Sequence, residues 1–353
     1  MSRERVMIMA GGTGGHIFPG LAVAEELRSR GADVSWMGTP AGLENRLVPQ
    51  AGIELEHIRI QGLRGRGLLG WLAAPMRVVR AAWQARGILR RRRPQCVLSM
   101  GGYVAGPGAL AARLMGIPLV LHEQNAIAGL TNRLLRPFAK RVMAGFPDTL
   151  AGGEHVGNPV RAGIAAIDAP EHRMADRDGP LQVLVIGGSQ GAAAFTRAVP
   201  EALAKLDLSH RPAVVHQAGR QFEETRLAYE KAGVEGEVHE FIDDMAGAWA
   251  HADLAICRAG ALTVAELAAA GVAAVLVPFP HAVDDHQTAN ARFLSDAEGA
   301  WLVPQQEFSA DWLAALFERV TREQLITMAS VARARARTDA AERVALACLE
   351  VAR

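Results

Sequence analysis

Residues 6–15 read VMIMAGGTGG: five apolar residues, then a glycine run that leads into a helical pattern from Pro19. A short unbroken apolar run suits a strand buried on both faces, and glycine lets the backbone turn sharply and approach a ligand closely. The pattern returns at 183–192 as VLVIGGSQGA, with Gly11 and Gly187 separated by 176 residues in a chain of 353. Two strand–glycine–helix starts half a chain apart predict an α/β protein of two doubly wound, Rossmann-like domains.

The rest of the chain extends this pattern. Val6–Ala10, Val34–Met37, Leu55–Ile60, Cys96–Ser99, Leu119–Leu121 and Arg141–Ala144 read as strands. Helical patterns cover Pro19–Arg30, Leu43–Gln50, Trp71–Arg91 and Pro107–Met115. Such alternation predicts parallel sheets with crossover helices. The second half repeats it, with strands at Ala213–His216, Val238–Phe241, Leu254–Cys257 and Ala274–Val277, and helices from Ala310 to Arg353. GNPVR at 157–161 and the polar stretch Asp168–Pro180 read as a hinge region, which divides the chain into domains at 1–160 and 161–340. Loops at the carboxyl ends of both sheets are expected to gather around a cleft.

Half the residues are hydrophobic and 21% are charged, which supports sizeable cores and excludes a disordered chain. Cys96, Cys257 and Cys348 lack metal-ligand spacing and predict a reduced, cytoplasmic protein. The opening MSRERVMIMAGG runs straight into a strand without a signal-peptide pattern, and no apolar run is long enough to span a bilayer. The net charge of +1 hides an asymmetry: residues 1–160 carry 20 Lys+Arg against 10 Asp+Glu, and residues 161–353 carry 18 against 27. Between Glu56 and Glu123 there are eleven arginines and no acid. The first domain is therefore expected to meet something anionic.

Several stretches carry chemistry. GGTGGH, Gly11–His16, offers helix-start amides to an anion. Its spacing is not G-x-G-x-x-G, the second strand ends at Trp36-Met37-Gly38-Thr39 with no acid for a ribose, and no G-K-[ST] follows, so neither a dinucleotide site nor a P-loop is expected. His16 is a candidate general base, or else a cap or wall of the cleft. GGYVAGPG, 101–108, is a second glycine loop, which with Gly14 and Gly15 would cradle a diphosphate through Gly101, Gly102 and Tyr103. HEQN, His122–Asn125, follows a strand end and reads as cleft lining.

In the second half, GGSQGA repeats the phosphate-loop logic, with Ser189 adding a hydroxyl. FIDDM, Phe241–Met245, is a strand end or a helix cap through Asp243 or Asp244. RAGALTVAE, Arg258–Glu266, would present the amides of Ala261, Leu262 and Thr263, followed by Val264 and Ala265, to a diphosphate. Glu266 would accept from ribose hydroxyls, or simply complement the helix dipole. In Val277–Ala291, Gln287 suits hydrogen bonding to a sugar, while adjacent Asp284, Asp285 and His286 diverge too far to chelate. The D-x-D of Asp176 and Asp178 lies in the expected linker, so no metal site is expected.

Leu68, Leu69, Trp71 and Leu72 stand beside Arg77 and Arg80 in a segment without acids. That pattern fits a peripheral membrane helix on an anionic surface. It equally fits a core helix with a solvated basic face. Nucleic acid is disfavoured because few aromatics accompany the arginines and no nucleic-acid motif is present.

Together GGTGGH, GGYVAGPG, HEQN, GNPVR, GGSQGA, FIDDM, CRAGALTVAE and DDHQTANA, in this order and spacing, resemble the MurG family, the peripheral membrane glycosyltransferases of bacterial peptidoglycan synthesis. The resemblance implies a GT-B fold with a C-terminal helix, 341–353, crossing back to the first domain. It implies transfer of N-acetylglucosamine (GlcNAc) from UDP-GlcNAc to the C4 hydroxyl of the muramoyl sugar in undecaprenyl-diphosphate-linked lipid I, giving lipid II. The setting implied is the cytoplasmic face of the membrane, with no cofactor and with other cell-wall synthesis proteins as candidate partners. The family's donor contacts would fall on the Ile242 backbone for uracil, Glu266 for ribose, Ser189 and the Ala261–Thr263 amides for diphosphate, Gln287 for GlcNAc, and Arg161 beside the nucleotide. Thr13, Gly14, Gly15 and Asn125 would approach the sugar from the first domain. His16 would be the base, with Glu123 as its rival. The alternatives are another two-domain nucleotide-sugar enzyme, such as a UDP-GlcNAc 2-epimerase, and a non-enzymatic membrane- or polyanion-binding scaffold.

Overall fold

A computed structural model of the chain describes residues 3–60, 74–188 and 190–353. It divides into two compact units, Met1–Arg161 with Arg337–Arg353, and Ala162–Ala336.

The first unit holds seven parallel strands: β1 Arg5–Ala10, β2 Asp33–Gly38, β3 Glu54–His57, β4 Cys96–Gly101, β5 Leu119–Glu123, β6 Arg141–Ala144 and β7 Glu154–His155. Their order is β3-β2-β1-β4-β5-β6-β7. Side chains alternate across a strand. Val6, Ile8 and Ala10 accordingly enter a core shared with the helix Gly14–Ser29 and the C-terminal helix Ala340–Ala352. Met7 and Met9 enter the opposite core, beneath the helices Ala74–Arg92 and Ala105–Leu114. The C-terminal helix buries Val344, Ala345 and Cys348. It is tied down by Arg30 to Glu342 at 2.7 Å and by ion pairs of Arg343 with Glu154 and Arg141 with Glu350.

The second unit holds β8 Gln182–Ile186, β9 Ala213–Gln217, β10 Glu237–His239, β11 Leu254–Cys257, β12 Ala273–Leu276 and β13 Ala300–Leu302. All are parallel, in the order β10-β9-β8-β11-β12-β13. The stretch Asp168–Pro180, read above as part of a hinge, is bound into this unit. Arg173 donates to the Ala252 carbonyl at 3.0 Å and to that of Gly271, and Arg177 donates to Asp253 Oδ1 at 2.7 Å. Burial pushes the Arg173 guanidinium down to about 10.

Other differences from the sequence reading are local. The expected strand Val238–Phe241 ends at His239, and beyond it the Ile242 N–H goes to the Gln217 side chain. The edge strands Glu154–His155 and Ala300–Leu302 are too short to leave a period in the sequence.

Candidate active site

In the first sheet, strand order reverses between β1 and β4. A register shift at Met9 and Ala10 sets Ala10 opposite Gly101. This is the switch point at which doubly wound sheets take ligands, and it brings the two glycine loops into contact. A side chain on Gly102 would strike the Gly11 carbonyl, and Gly102 also holds a φ of +83°. The following helix starts at Gly14. Its N-cap Thr13 makes no side-chain cap and its first turn carries no acid, which suits an anion at the Gly14 and Gly15 amides. Gly12 departs from the expectation of a uniformly anion-binding loop. Its N–H donates to buried Glu44 at 3.1 Å, and Glu44 also accepts from Thr39 N and Oγ1, each at 2.8 Å. A carboxylate buttressing the loop at that point repels a phosphate there.

His16 is half-buried on the first turn of this helix. Its Nδ1 lies 2.9 Å from Gln124 Oε1, Gln124 Nε2 lies 3.1 Å from His122 Nδ1, and His122 Nε2 lies 2.9 Å from the Gly157 carbonyl. Burial pushes His122 down to about 4. Glu123 is placed differently from a proton acceptor. It is buried and accepts from Asn125 N at 3.0 Å, Gly129 N at 3.0 Å and Asn132 Nδ2 at 2.7 Å. A carboxylate so fully hydrogen-bonded shapes the loop that carries Asn125, which argues against its role as the rival base. Arg161 packs over the Phe18 ring, 5.4 Å from its centroid.

Beside the glycine loops lies a cavity of about 680 Å³, lined by Gly12, Thr39, Arg59, Arg77, Arg80 and Tyr103. Arg77 and Arg80 thus border the loop site as well as the surface. Leu68, Leu69, Trp71 and Leu72 lie outside the described residues. The helix Ala74–Arg92 buries Ala81, Ala85, Ile88 and Leu89 and leaves Met76 79% and Trp83 75% exposed, with Val79 between them. Leu114, Leu130, Leu134 and Phe138 are also exposed, on elements of the same layer, as are Arg113, Arg133 and Arg136. The sequence reading did not single these out.

In the second sheet the order reverses between β8 and β11. Ser189 lies outside the described residues. The helix Ala261–Ala270 follows β11 with extended Gly260 as its N-cap and no acid in its first turn. Val264 spends its N–H on the Gly260 carbonyl at 2.9 Å, so the open amides are those of Ala261, Leu262 and Thr263. Ala265 opens the second turn and buried Glu266 follows it, where Oε2 accepts from the buried Trp249 indole at 3.2 Å. The Ile242 N–H is held by Gln217 Oε1 at 3.1 Å. Asp244 is a helix cap, accepting from Gly247 N at 2.9 Å.

Gln287 Oε1 accepts from Phe279 N at 2.9 Å, bracing the Val277–Asp285 loop against the helix His286–Ser295. Asp284 and Asp285 both hold left-handed backbone, with φ of 52° and 50°. Such conformations cost about 1–3 kcal/mol each and persist where the surroundings impose them, often at ligand sites. Arg258, unremarked in the sequence, sits 5.0 Å from the Phe195 ring and 5.6 Å from that of Phe279, and donates to Val277 O at 3.1 Å and Gln305 Oε1 at 2.6 Å. It borders a cavity of about 760 Å³ beside Gly191, Ala192 and Gln221. Trp249 and Gln217 were likewise missed, and Gln124 was read only as cleft lining within HEQN, because each acts through a partner distant in sequence.

Comparisons with known proteins agree with this geometry. Residues 6–144 match the glycosyltransferase family 28 N-terminal domain and residues 182–344 its C-terminal domain. The chain is 57% identical, over 99% of its length and 98% of the relative's, to the UDP-N-acetylglucosamine--N-acetylmuramyl-(pentapeptide) pyrophosphoryl-undecaprenol N-acetylglucosamine transferase of Aromatoleum aromaticum. A protein of the same name from Alkalilimnicola ehrlichii is 58% identical over 99% of both chains. The crystal structure of Acinetobacter baumannii MurG is similar with a TM-score of 0.83 at 44% identity, covering 98% of this chain and 99% of that one.

Proposed function

The chain belongs to glycosyltransferase family 28, and from that premise we propose that it transfers GlcNAc from UDP-GlcNAc to the C4 hydroxyl of the muramoyl sugar of undecaprenyl-diphosphate-linked lipid I, forming lipid II. The observation that carries this reading is the pairing, in the second unit, of an uncapped helix start at Ala261 with the buried carboxylate of Glu266 one turn later. The first attracts a diphosphate and the second accepts from ribose hydroxyls.

The reaction is a single displacement with inversion. The acceptor O4 attacks the anomeric carbon, the bond from that carbon to the diphosphate oxygen breaks, and UDP departs. His16 takes the hydroxyl proton. The amides of Ala261, Leu262 and Thr263 stabilise the charge that grows on the leaving diphosphate, a role that needs no cofactor. Gln287 and the Ile242 backbone hold the GlcNAc and the uracil. Gly14 and Gly15, with Gly101, Gly102 and Tyr103, receive the acceptor diphosphate, and the cavity bordered by Arg59, Arg77 and Arg80 supplies positive charge there.

The acceptor stays in the bilayer, and among the described residues no helix is long and apolar enough to cross a membrane. The exposed Met76, Val79, Trp83, Leu114, Leu130 and Phe138, on helices that also carry exposed Arg77, Arg80, Arg113 and Arg133, supply side chains suited to anionic lipid. Mixing the protein with UDP-GlcNAc and a lipid I analogue tests the reading. The expected result is UDP release matched mole for mole by glycosylated acceptor. Release without acceptor, or GlcNAc epimerised rather than transferred, would overturn it.

A further inference from the structure

The proton positions around His16 follow from the one group in its neighbourhood that has no choice. The Gly157 carbonyl only accepts, so His122 Nε2, 2.9 Å away, must carry a hydrogen. Burial pushes His122 down to about 4, so near neutral pH the ring is uncharged and its Nδ1 is a bare lone pair. That lone pair takes an N–H of Gln124 Nε2 at 3.1 Å. The same amide nitrogen also faces the His122 carbonyl at 3.2 Å. Two acceptors on one side of the Gln124 amide fix which end is nitrogen, because a flipped amide would set its oxygen against both. Gln124 Oε1 therefore faces His16 Nδ1 at 2.9 Å, and Nδ1 must donate.

We propose that Gln124 and His122 are positioning residues that lock His16 in the tautomer with its proton on Nδ1, leaving Nε2 as the lone pair that accepts the proton of the attacking hydroxyl. The chain of bonds runs from a backbone carbonyl through a buried imidazole and a buried amide to the half-buried ring of His16. No carboxylate takes part, so the arrangement sets orientation without adding charge next to an anionic substrate. Glycine at 101 leaves the ring its room: a side chain there would lie 3.0 Å from His16 Cε1 and Nδ1. The inference rests on His16 being the base, and it adds what makes Nε2 rather than Nδ1 the basic atom.

Nitrogen-15 NMR of the unaltered protein reads the tautomers directly. The expected spectrum near neutral pH has His16 protonated on Nδ1 and His122 on Nε2. A proton on His16 Nε2 would overturn the proposal without any variant having to fold. Gln124→Met, which keeps the length and removes the amide, is expected to lower kcat by about 10²-fold while leaving KM for UDP-GlcNAc within about twofold. In that variant the His16 signals should shift towards a mixture of tautomers. If His16→Ala abolishes turnover while Gln124→Met keeps full kcat and the same His16 tautomer, the relay fails and the base reading stands. If His16→Ala itself turns over at the unaltered rate, the base reading fails and the relay with it.

Discussion

The Trp249 indole N–H donates to Glu266 Oε2 at 3.2 Å, so the carboxylate at the second unit's helix start is aimed by a fully buried ring. Glu266→Ala is expected to weaken UDP-GlcNAc binding by about 1.5–3 kcal/mol, the range for a hydrogen bond to a charged group. Trp249→Phe removes the donor and part of a buried ring but leaves the carboxylate in place, so its loss of binding should be smaller, about 0.5–1.5 kcal/mol. Titration calorimetry measures both. An unchanged affinity in Glu266→Ala would remove the ribose assignment.

Acid should destabilise both units through one buried histidine each. Burial pushes His122 and His216 down to about 4. In the unfolded chain a histidine titrates near 6.5. Between these values the unfolded state holds protons that the folded state does not, so stability is full above about pH 6.5, falls as pH drops towards 4, and levels off below. Each site contributes roughly 3 kcal/mol across that window. Urea unfolding of the protein and of His216→Gln, at intervals from pH 7.5 to 4, should show a shallower acid slope in the variant. Equal slopes would contradict the assignment.

Vesicle binding should depend on salt and on the exposed side of the helix Ala74–Arg92. Each arginine near an anionic surface contributes about 1 kcal/mol, screened as ionic strength rises. The protein is expected to pellet with anionic vesicles at low salt and to detach at high salt. Replacing Met76, Val79 and Trp83 with Ser should reduce pelleting and turnover of a full-length lipid acceptor, while turnover of a short soluble acceptor is kept. Equal loss on both acceptors would show that these side chains serve folding.

Turnover should survive chelation. If the amides of Ala261, Leu262 and Thr263 carry the leaving diphosphate, EDTA leaves the initial rate unchanged. Activity lost in EDTA and restored by a divalent cation would show that those amides do not suffice.

The strands and their glycine turns were legible in the sequence because burial on both faces imposes unbroken apolar runs such as Val6–Ala10 and Leu254–Cys257. The helix start at Ala261 was legible for a similar local reason, since a strand, a small-residue turn and a helix pattern follow one another without interruption. What was not legible depends on register. Glu44 reaches back 32 residues to Gly12, and Gln124 reaches 108 residues to His16, because β2, β1, β4 and β5 lie side by side. HEQN could be read as polar lining, but which of its four residues faces His16 is decided only when the strands pair. The packed state of Asp168–Pro180 was hidden for another reason. Arg173 and Arg177 look like solvated linker charges until the carbonyls of Ala250 and Ala252 and the Asp253 carboxylate are brought beneath them.

The return of Arg337–Arg353 to the first unit reverses the order in which the two bodies are finished during synthesis. Met1–Arg161 leaves the ribosome first, yet the face of its sheet shared with the helix Gly14–Ser29 stays only partly covered until Ala340–Ala352 has been made, after the whole of Ala162–Ala336. The second unit is contiguous and closes on itself in the meantime. A nascent chain halted anywhere before Val344 therefore lacks part of the cover over Val6, Ile8, Cys96 and Leu98, and whatever chaperone or protease waits at the tunnel exit meets that gap. A nonsense mutation late in the gene strikes the half of the protein translated earliest.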